Sequence, residues 1–545
     1  MIYHPTIIIL ASVIALIISY KQERLFGSIA LLMPVIIAIF FYNLPISNTI
    51  QLFNLTLIYE GSSCNKLIGT AFILVLFASN LYAFGQNKKP ELILGSAYGA
   101  FAFFCMLAGD FVSIFVGLEL MMVLSCAIIF IGGMRASLRS AKKYFLTHLM
   151  SSNMIIIGIT YLMTKNDSLA LVTITELMNN PEYSTVMLTI MLTGMLINIA
   201  AFPFSGWMIN YYPKASPSGF LYLVSFTTKV SIMLLIKLFA GYEPLKYIAI
   251  IMMLYASTKV IFEDNLLSLL CYLSIMSMGF MLLGISYGSK PIILAIISYL
   301  FIHIIYKLLL SISIANIIDQ TGISNCSELK RINYKVIIVG LVIGISIMIN
   351  VPMTSSFYIK SSISHIFVGN PIYFVILFLN FMTIFALPWK KYFASREYIN
   401  IKLNAYSKYS ILLVSLILVI ISIAGRILPI LSQIKTFKEI SIFSIELQKQ
   451  IAIILVTIGL SMLYGTKRKS TKPINLIEWI GKILFYFNAQ WLKQTNKEYI
   501  KEPLAIESLE RQASSKLSSI HNQQTAIFIV FIIFIVMLIV LTIGV

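Results

Sequence analysis

A few titratable residues of this chain sit where an apolar sequence can least accommodate them. Glu119 lies inside the run from Phe111 to Ile131, with no other charged residue between Asp110 and Arg135. Lys229 closes a polar series of Ser218, Tyr222 and Ser225 whose spacing of four, three and four puts them on one helix face. Tyr299, His303, Lys307 and Ser311 recur every four residues and make a second stripe of the same kind. Lys360 follows Pro352 and several small polar residues in IMINVPMTSSFYIKSSIS. The chemistry open to such a set is proton transfer. A lone carboxylate in apolar surroundings must be paired, protonated or wetted. An amine removed from water gives up its proton more readily, and an imidazole titrates near pH 6.5. The structural alternatives are a neutral, hydrogen-bonded glutamic acid at 119 and a histidine bonded to a nearby carbonyl at 303. Lys360 is either a helix-end anchor or the outlet of a path. His148 reads as an ordinary residue at the start of a span, and Lys237 and Lys259 as end residues that reach toward the interface.

Nothing points to covalent or redox work. The five cysteines show no CxxC spacing, and neither a Gly-rich phosphate loop nor a histidine set for haem is visible. The expectation is no cofactor, no metal and no catalytic redox site.

These residues make sense only inside a membrane. The 545 residues are 59% hydrophobic and 11% charged, with a mean hydropathy of +0.91. Apolar runs of about 20 residues, each long enough to span a bilayer core, recur along the whole chain. The fold class is an all-α polytopic membrane protein with about 14–16 transmembrane helices. The net charge of +19 does not argue for nucleic acid, because the basic residues gather in loops between spans. Loops after odd-numbered spans hold Lys88 and Lys89, the group from Arg135 to Lys143, Lys330 and Arg331, and the group from Lys467 to Lys472. That bias puts these loops in the cytoplasm and both termini outside. The first run, Pro5 to Ser19, has its basic residues after it and not before it, the reverse of a cleavable signal, so it is expected to stay as the first span.

Two spans are interrupted. In LINIAAFPFSGWMINYYPKASPSGFLYLVSFTTK, Pro203 breaks an apolar segment before a Pro/Ser-rich link leads to Lys229. Pro352 marks a second break ahead of Lys360. Backbone freed by such breaks needs protein or cavity water, and a charge at bilayer depth costs roughly 2.5–3.5 kcal/mol on the insertion scale. Paired interrupted helices predict two inverted repeats around an ion path. The chain divides into N-terminal helices (1–110), a proton-conducting core (111–430) and C-terminal helices (431–545). An amphipathic surface helix is predicted over 474–493.

At these motifs the chain resembles the antiporter-like proton-conducting subunits shared by respiratory complex I (its L, M and N chains) and multisubunit sodium/proton antiporters (the A and D chains). The resemblance covers roughly residues 60 to 430. GDFVSIFVGLELM places Glu119 on the family's fifth-helix glutamate. AAFPFSGWMINYYPKASPSGFLYLVSFTTK is similar to FPFHxWLPDAYPxAP…K, with Lys229 as the eighth-helix lysine. YLFIHIIYKLLL resembles HxxxHAxxKxxLF and supplies His303 and Lys307, and NVPMTSSFYIK resembles GxPxxxGFxxK and supplies Lys360. The departures are specific. Asn198 stands where the family has the seventh-helix lysine that partners the glutamate, and Ser205 replaces the motif histidine. Asn210 replaces the aspartate of LPDA, NLLSLLCYLS lacks the usual basic pair, and Tyr299 replaces a first histidine. Glu119 therefore lacks its expected counter-charge, while the line from Lys229 to Lys360 is complete.

The resemblance implies a proton-translocating subunit of a monovalent cation/proton antiporter, closest in length and opening segment to the D chain. The alternatives are a proton-pumping membrane-arm subunit of NADH-quinone oxidoreductase and a degenerate structural paralogue of either. Lysine at 360 argues against the M chain. Implied partners are other small hydrophobic membrane subunits, the lipid bilayer, protons, and Na+ or K+ as exchanged ions. The implied location is the cell inner membrane, and no nucleic acid is involved.

Overall fold

The computed structural model describes residues 4–464 apart from 46, 53–54, 134, 166–169, 368, 389–391, 393–394, 396 and 425–444. The predicted surface helix over 474–493 and the span expected from Ala526 lie outside the described residues. Within them the chain is an all-α membrane bundle. Its helices are α1 (Pro5–Ile18), α2 (Glu23–Tyr42), α3 (Ser63–Gly85), α4 (Lys89–Leu107), α5 (Phe111–Phe130), α6 (Arg135–Lys165), the short α7 (Ile174–Met178), α8 (Thr185–Asn198), α9 (Gly206–Tyr211), α10 (Pro217–Ser225) and α11 (Thr227–Phe239). They continue with α12 (Leu245–Val260), α13 (Leu266–Tyr287), α14 (Lys290–Thr321), α15 (Lys335–Met348), α16 (Ser355–His365), α17 (Ile372–Phe385), α18 (Ala405–Ala424) and α19 (Ile445–Tyr464). Among the described residues, nine stretches are long and apolar enough to cross a membrane, and five shorter apolar helices accompany them.

The boundaries follow local chemistry. Asp110 caps α5 by accepting from the Ser113 amide at 2.6 Å, and Asn265 caps α13 by accepting from Leu267 and Ser268. Pro5, Pro90, Pro217 and Pro291 stand in first turns, where a missing amide proton costs nothing. Gly288 and Gly322 end α13 and α14 with φ of 66° and 72°. Burial then sorts the bundle. The apolar window of α13 is wholly buried, with α4, the α10–α11 pair and α14 nearly so, whereas α2 and α18 turn much of their apolar surface outward, as lipid-facing helices do.

The two expected breaks share one construction. α8 ends at Asn198, Ala200 takes φ of 57°, and the Ala201 amide bonds back to the Leu196 carbonyl at 3.0 Å. α15 ends at Met348, Asn350 takes φ of 58°, and the Val351 amide bonds to the Ser346 carbonyl at 2.9 Å. A left-handed residue followed by this back-bond closes a helix C-terminus without glycine. The first break is pinned by Trp207, fully buried, whose Nε1 donates to the Ile197 carbonyl at 2.8 Å. The second is pinned by Asn350, which donates to Asn380 of α17 at 3.0 Å and accepts from Ser356 at 2.7 Å.

Four features differ from the sequence reading. A third break falls at Phe226, between α10 and α11, with no proline or glycine to announce it. The polar series from Ser218 to Lys229 is therefore bent and does not share a single helix face. α6 starts at Arg135, so most of the basic group expected in a loop lies in the first turns of a 31-residue helix. Two strands, β1 (Ser47–Leu52) and β2 (Leu55–Glu60), pair antiparallel, and the Ile58 amide donates to Asp110 at 2.7 Å. Lys237 is not simply an end residue: from the last turn of α11 it donates to the Ala108 carbonyl at 2.7 Å and pairs with the half-exposed Glu60 of β2 at 3.3 Å.

Trp207→Ala is expected to lower stability in detergent by about 3–5 kcal/mol through the cavity it opens, and Trp207→Phe by clearly less. Thermal unfolding of the two variants tests this, and equal losses would show that packing at the break does not carry the stability.

Candidate functional site

Lys229 is fully buried, and the bend at Phe226 explains how. Its Nζ donates to the Val224 carbonyl, five residues earlier, at 2.5 Å and to the Thr228 hydroxyl at 3.1 Å. An unbroken helix keeps its carbonyls for amides four residues on, so the bend is what offers this acceptor to the ammonium. The other side of the bend is served by α4. Tyr98 Oη accepts from the Thr227 amide at 3.1 Å and makes a very short contact with the Thr227 hydroxyl.

From Lys229 the buried polar line continues onto α14, where the predicted stripe lies on one unbroken helix. Lys307 is buried and its ammonium has no hydrogen-bond partner in the protein. Cys271 of α13 lies within electrostatic range of both Lys229 and Lys307. His303, also fully buried, is bonded through Nδ1 to the Tyr306 hydroxyl at 2.8 Å, and its Nε2 is unpartnered. Tyr306 and Tyr299 converge on the Ser277 hydroxyl of α13 at 3.5 and 3.3 Å. The Lys360 ammonium sits over the Tyr299 ring, 5.1 Å from its centroid, and over Phe280 at 5.7 Å. Lys229, His303, Lys307 and Lys360 are thus brought together. The charged groups acting on His303 are the three lysines. Basic groups that share one apolar interior repel one another when charged, so their protonation is coupled and belongs to the set, an arrangement suited to passing protons along.

Glu119 stands apart from that line. It is buried on α5, one carboxylate oxygen has no partner, and Ser152 of α6 is its polar neighbour. At the position lacking the lysine, the Asn198 side-chain oxygen is doubly engaged: it accepts from Ser151 at 3.0 Å and bonds His148 Nδ1 at 2.9 Å. His148 is therefore no ordinary residue at a span start. Because α6 begins at Arg135, it lies near mid-helix, buried, with its ring against Tyr144 and Trp207 at centroid distances of 4.3 and 4.6 Å. It is one turn from Ser152, and its Nε2 has no partner. Ser205, at the position of the family histidine, is buried with an unpartnered hydroxyl. The sequence missed His148, Ser277 and Tyr306. Tyr306, three residues after His303, was within reach of helical spacing, whereas Ser277 arrives from another helix.

Residues 108–368 match the family model described as NADH:quinone oxidoreductase/Mrp antiporter, TM. The chain is 26% identical over 398 residues to the NADH-quinone oxidoreductase subunit N of Pelagibacter ubique, covering 68% of this chain and 83% of that protein. It is 29% identical over 273 residues to the NADH-quinone oxidoreductase subunit N of Leptospira interrogans, covering 47% of this chain and only about half (51%) of that relative's length. In fold it is similar to a chain of the Mrp complex from Dietzia sp. (TM-score 0.68, 16% identity) and to one of an archaeal membrane-bound sulfane sulfur reductase, a respiratory membrane complex (TM-score 0.71, 17% identity). Each match covers 83% of this chain and 99% of the other.

A double-mutant cycle on His148→Ala and Asn198→Ala is expected to give a coupling of about 0.5–1.5 kcal/mol in detergent unfolding. Additive losses would mean that the bond contributes nothing.

Proposed function

We propose that this chain, which matches the NADH:quinone oxidoreductase/Mrp antiporter family model over residues 108–368, translocates protons as a membrane-arm subunit of an oxidoreductase of the NADH-quinone type. The observation that carries this is a buried set of groups: His303, Tyr306, Ser277, Tyr299 and Lys360 are linked contact by contact, and Lys229 and Lys307 lie within electrostatic range of one another and of His303. Lys229 is the switching base, since a charge held by a carbonyl exposed at a bend changes partners with a small backbone movement. His303 and Lys307 relay the proton, Lys360 is the outlet, and Glu119 sets the field at the inlet. No step needs a cofactor of the subunit's own. If the complex draws on redox energy, that energy comes from its other subunits.

The relatives named subunit N support the oxidoreductase branch over the antiporter D-chain reading that the length and opening segment suggested. The fold matches do not separate the branches, since the Mrp chain and the sulfane sulfur reductase chain are each matched over 99% of their length. In either branch the core over 111–430 holds the route, small hydrophobic membrane subunits are the partners, and the cell inner membrane is the location with both termini outside. Na+ or K+ exchange belongs to the antiporter branch.

In liposomes holding the purified complex, Lys229→Ala is expected to abolish proton flux measured with a pH-sensitive dye, while Asn198→Lys preserves or raises it. Unchanged flux in Lys229→Ala would sink the assignment. Sodium-dependent flux without quinone reductase activity in the purified complex would move the chain to the antiporter branch.

A further inference from the structure

Past Ser311, where the spacing of four ends, α14 carries one more bare polar group, Asn316, five residues on and roughly 140° further round the helix axis. Among the described residues, four buried polar atoms without a protein partner lie on this one helix: His303 Nε2, Lys307 Nζ, Ser311 Oγ and Asn316 Oδ1. Buried polar groups in native proteins are satisfied by protein or by water, so these atoms, on neighbouring faces of α14, mark a wettable seam that turns round the helix. Toward the end of the helix the seam meets Asp319, which lies two turns past Ser311 and is exposed. The Tyr82 hydroxyl of α3 donates to Asp319 Oδ2 at 2.5 Å, which joins the last turns of the two helices. One turn back on α3, the Ser79 hydroxyl is buried and unpartnered, while the adjacent Asn80 is taken up by Tyr222 and Ser96. Glu91, in the first turn of α4, is buried with Oε2 unpartnered and lies within electrostatic range of Asp319. Lys88 acts on both carboxylates, and Tyr20 and Tyr222 are the other titratable groups near Glu91.

We propose that Asp319, Tyr82 and Glu91 form a proton-loading site that feeds Lys307 through water held along Asn316, Ser79 and Ser311. A purely structural acid pair would have its oxygens satisfied. Here one acid is open to solvent, the other keeps a bare oxygen inside, and the bare groups continue to the lysine. A proton from solvent adds to the Asp319 carboxylate, passes along the water-bridged hydroxyls and amide, and ends on the neutral Lys307 amine, leaving the carboxylate ionised again. The site lies at the end of the bundle that carries Lys88 and Lys89, the face the charge bias assigns to the cytoplasm. It gives the route an inlet that does not pass through Glu119.

This rests on the proton route proposed above, and the test separates the two. Proton flux is measured in liposomes containing the whole complex, with a pH-sensitive dye, for Asp319→Asn, Asp319→Glu, Glu91→Gln and Asn316→Leu beside Lys229→Ala. The expected result is a loss of tenfold or more in Asp319→Asn, restoration in Asp319→Glu with a displaced pH profile, and a comparable loss in Asn316→Leu, which blocks the seam and leaves both acids in place. Normal flux in Asp319→Asn and Asn316→Leu, with flux abolished by Lys229→Ala, would overturn the loading site and leave the route standing. Normal flux in Lys229→Ala would overturn the route itself. Should Asp319→Asn fail to assemble, Glu91→Gln and Asn316→Leu decide: wild-type flux in both rejects the site.

Discussion

A charged side chain inside an apolar bundle must be held by something, and in this protein the holder of Lys229 is the backbone carbonyl of Val224 at the bend between α10 and α11. Much of the buried site depends on that bend. It takes its freed amide and hydroxyl to Tyr98 of α4, and it sets Lys229 beside Cys271 of α13, in range of Lys307 and His303 on α14. A straight helix through Phe226 would take the Val224 carbonyl for its own ladder and leave the ammonium only the Thr228 hydroxyl. The desolvation of such a group is worth several kcal/mol, far more than the cost of one distorted turn.

The bundle answers the same constraint differently at each position. Lys360 is held by two aromatic faces, His303 by a tyrosine hydroxyl, and Lys307 by no protein atom. Strong partners would trap a proton. Weak ones leave a side chain free to exchange partners, and coupled groups of this kind take up protons as a set. The matched breaks at Ala200 and Asn350 frame this line on either side, each closed by a back-bonded amide and each locked by one buried polar side chain. At the first of them Asn198, bonded to His148 and Ser151, fills with neutral hydrogen bonds the space where relatives of this chain are expected to carry a charge.

What the sequence revealed depended on how local the signal was. The α14 stripe was legible because Tyr299, His303, Lys307 and Ser311 share one unbroken helix, where spacing of four is a geometric fact. The breaks at Pro203 and Pro352 were legible from proline. The bend at Phe226 was not, because it lies in a run of ordinary helix-compatible residues and is stabilised by Tyr98 from another helix. His148 was misplaced because Arg139, Lys142 and Lys143 read as loop residues, although a long helix carries them in its first turns with the rest of its length still available to the membrane. The β1–β2 pair was lost because alternation in so apolar a chain stands out little from its surroundings. Asp319 drew no notice, since its meaning comes from Tyr82 and Glu91, which are far away in sequence.

The central claim is that the buried groups from Lys229 to Lys360 form one hydrated, proton-sharing line along α14. The most direct test is a cryo-EM map of the assembled complex at a resolution that shows ordered water. The account predicts water density against Lys307 Nζ, Ser311 Oγ and His303 Nε2, joined into a file that reaches Lys229 on one side and Lys360 on the other. A dry, closely packed α14 seam, with Lys307 held by a direct protein partner, would contradict it.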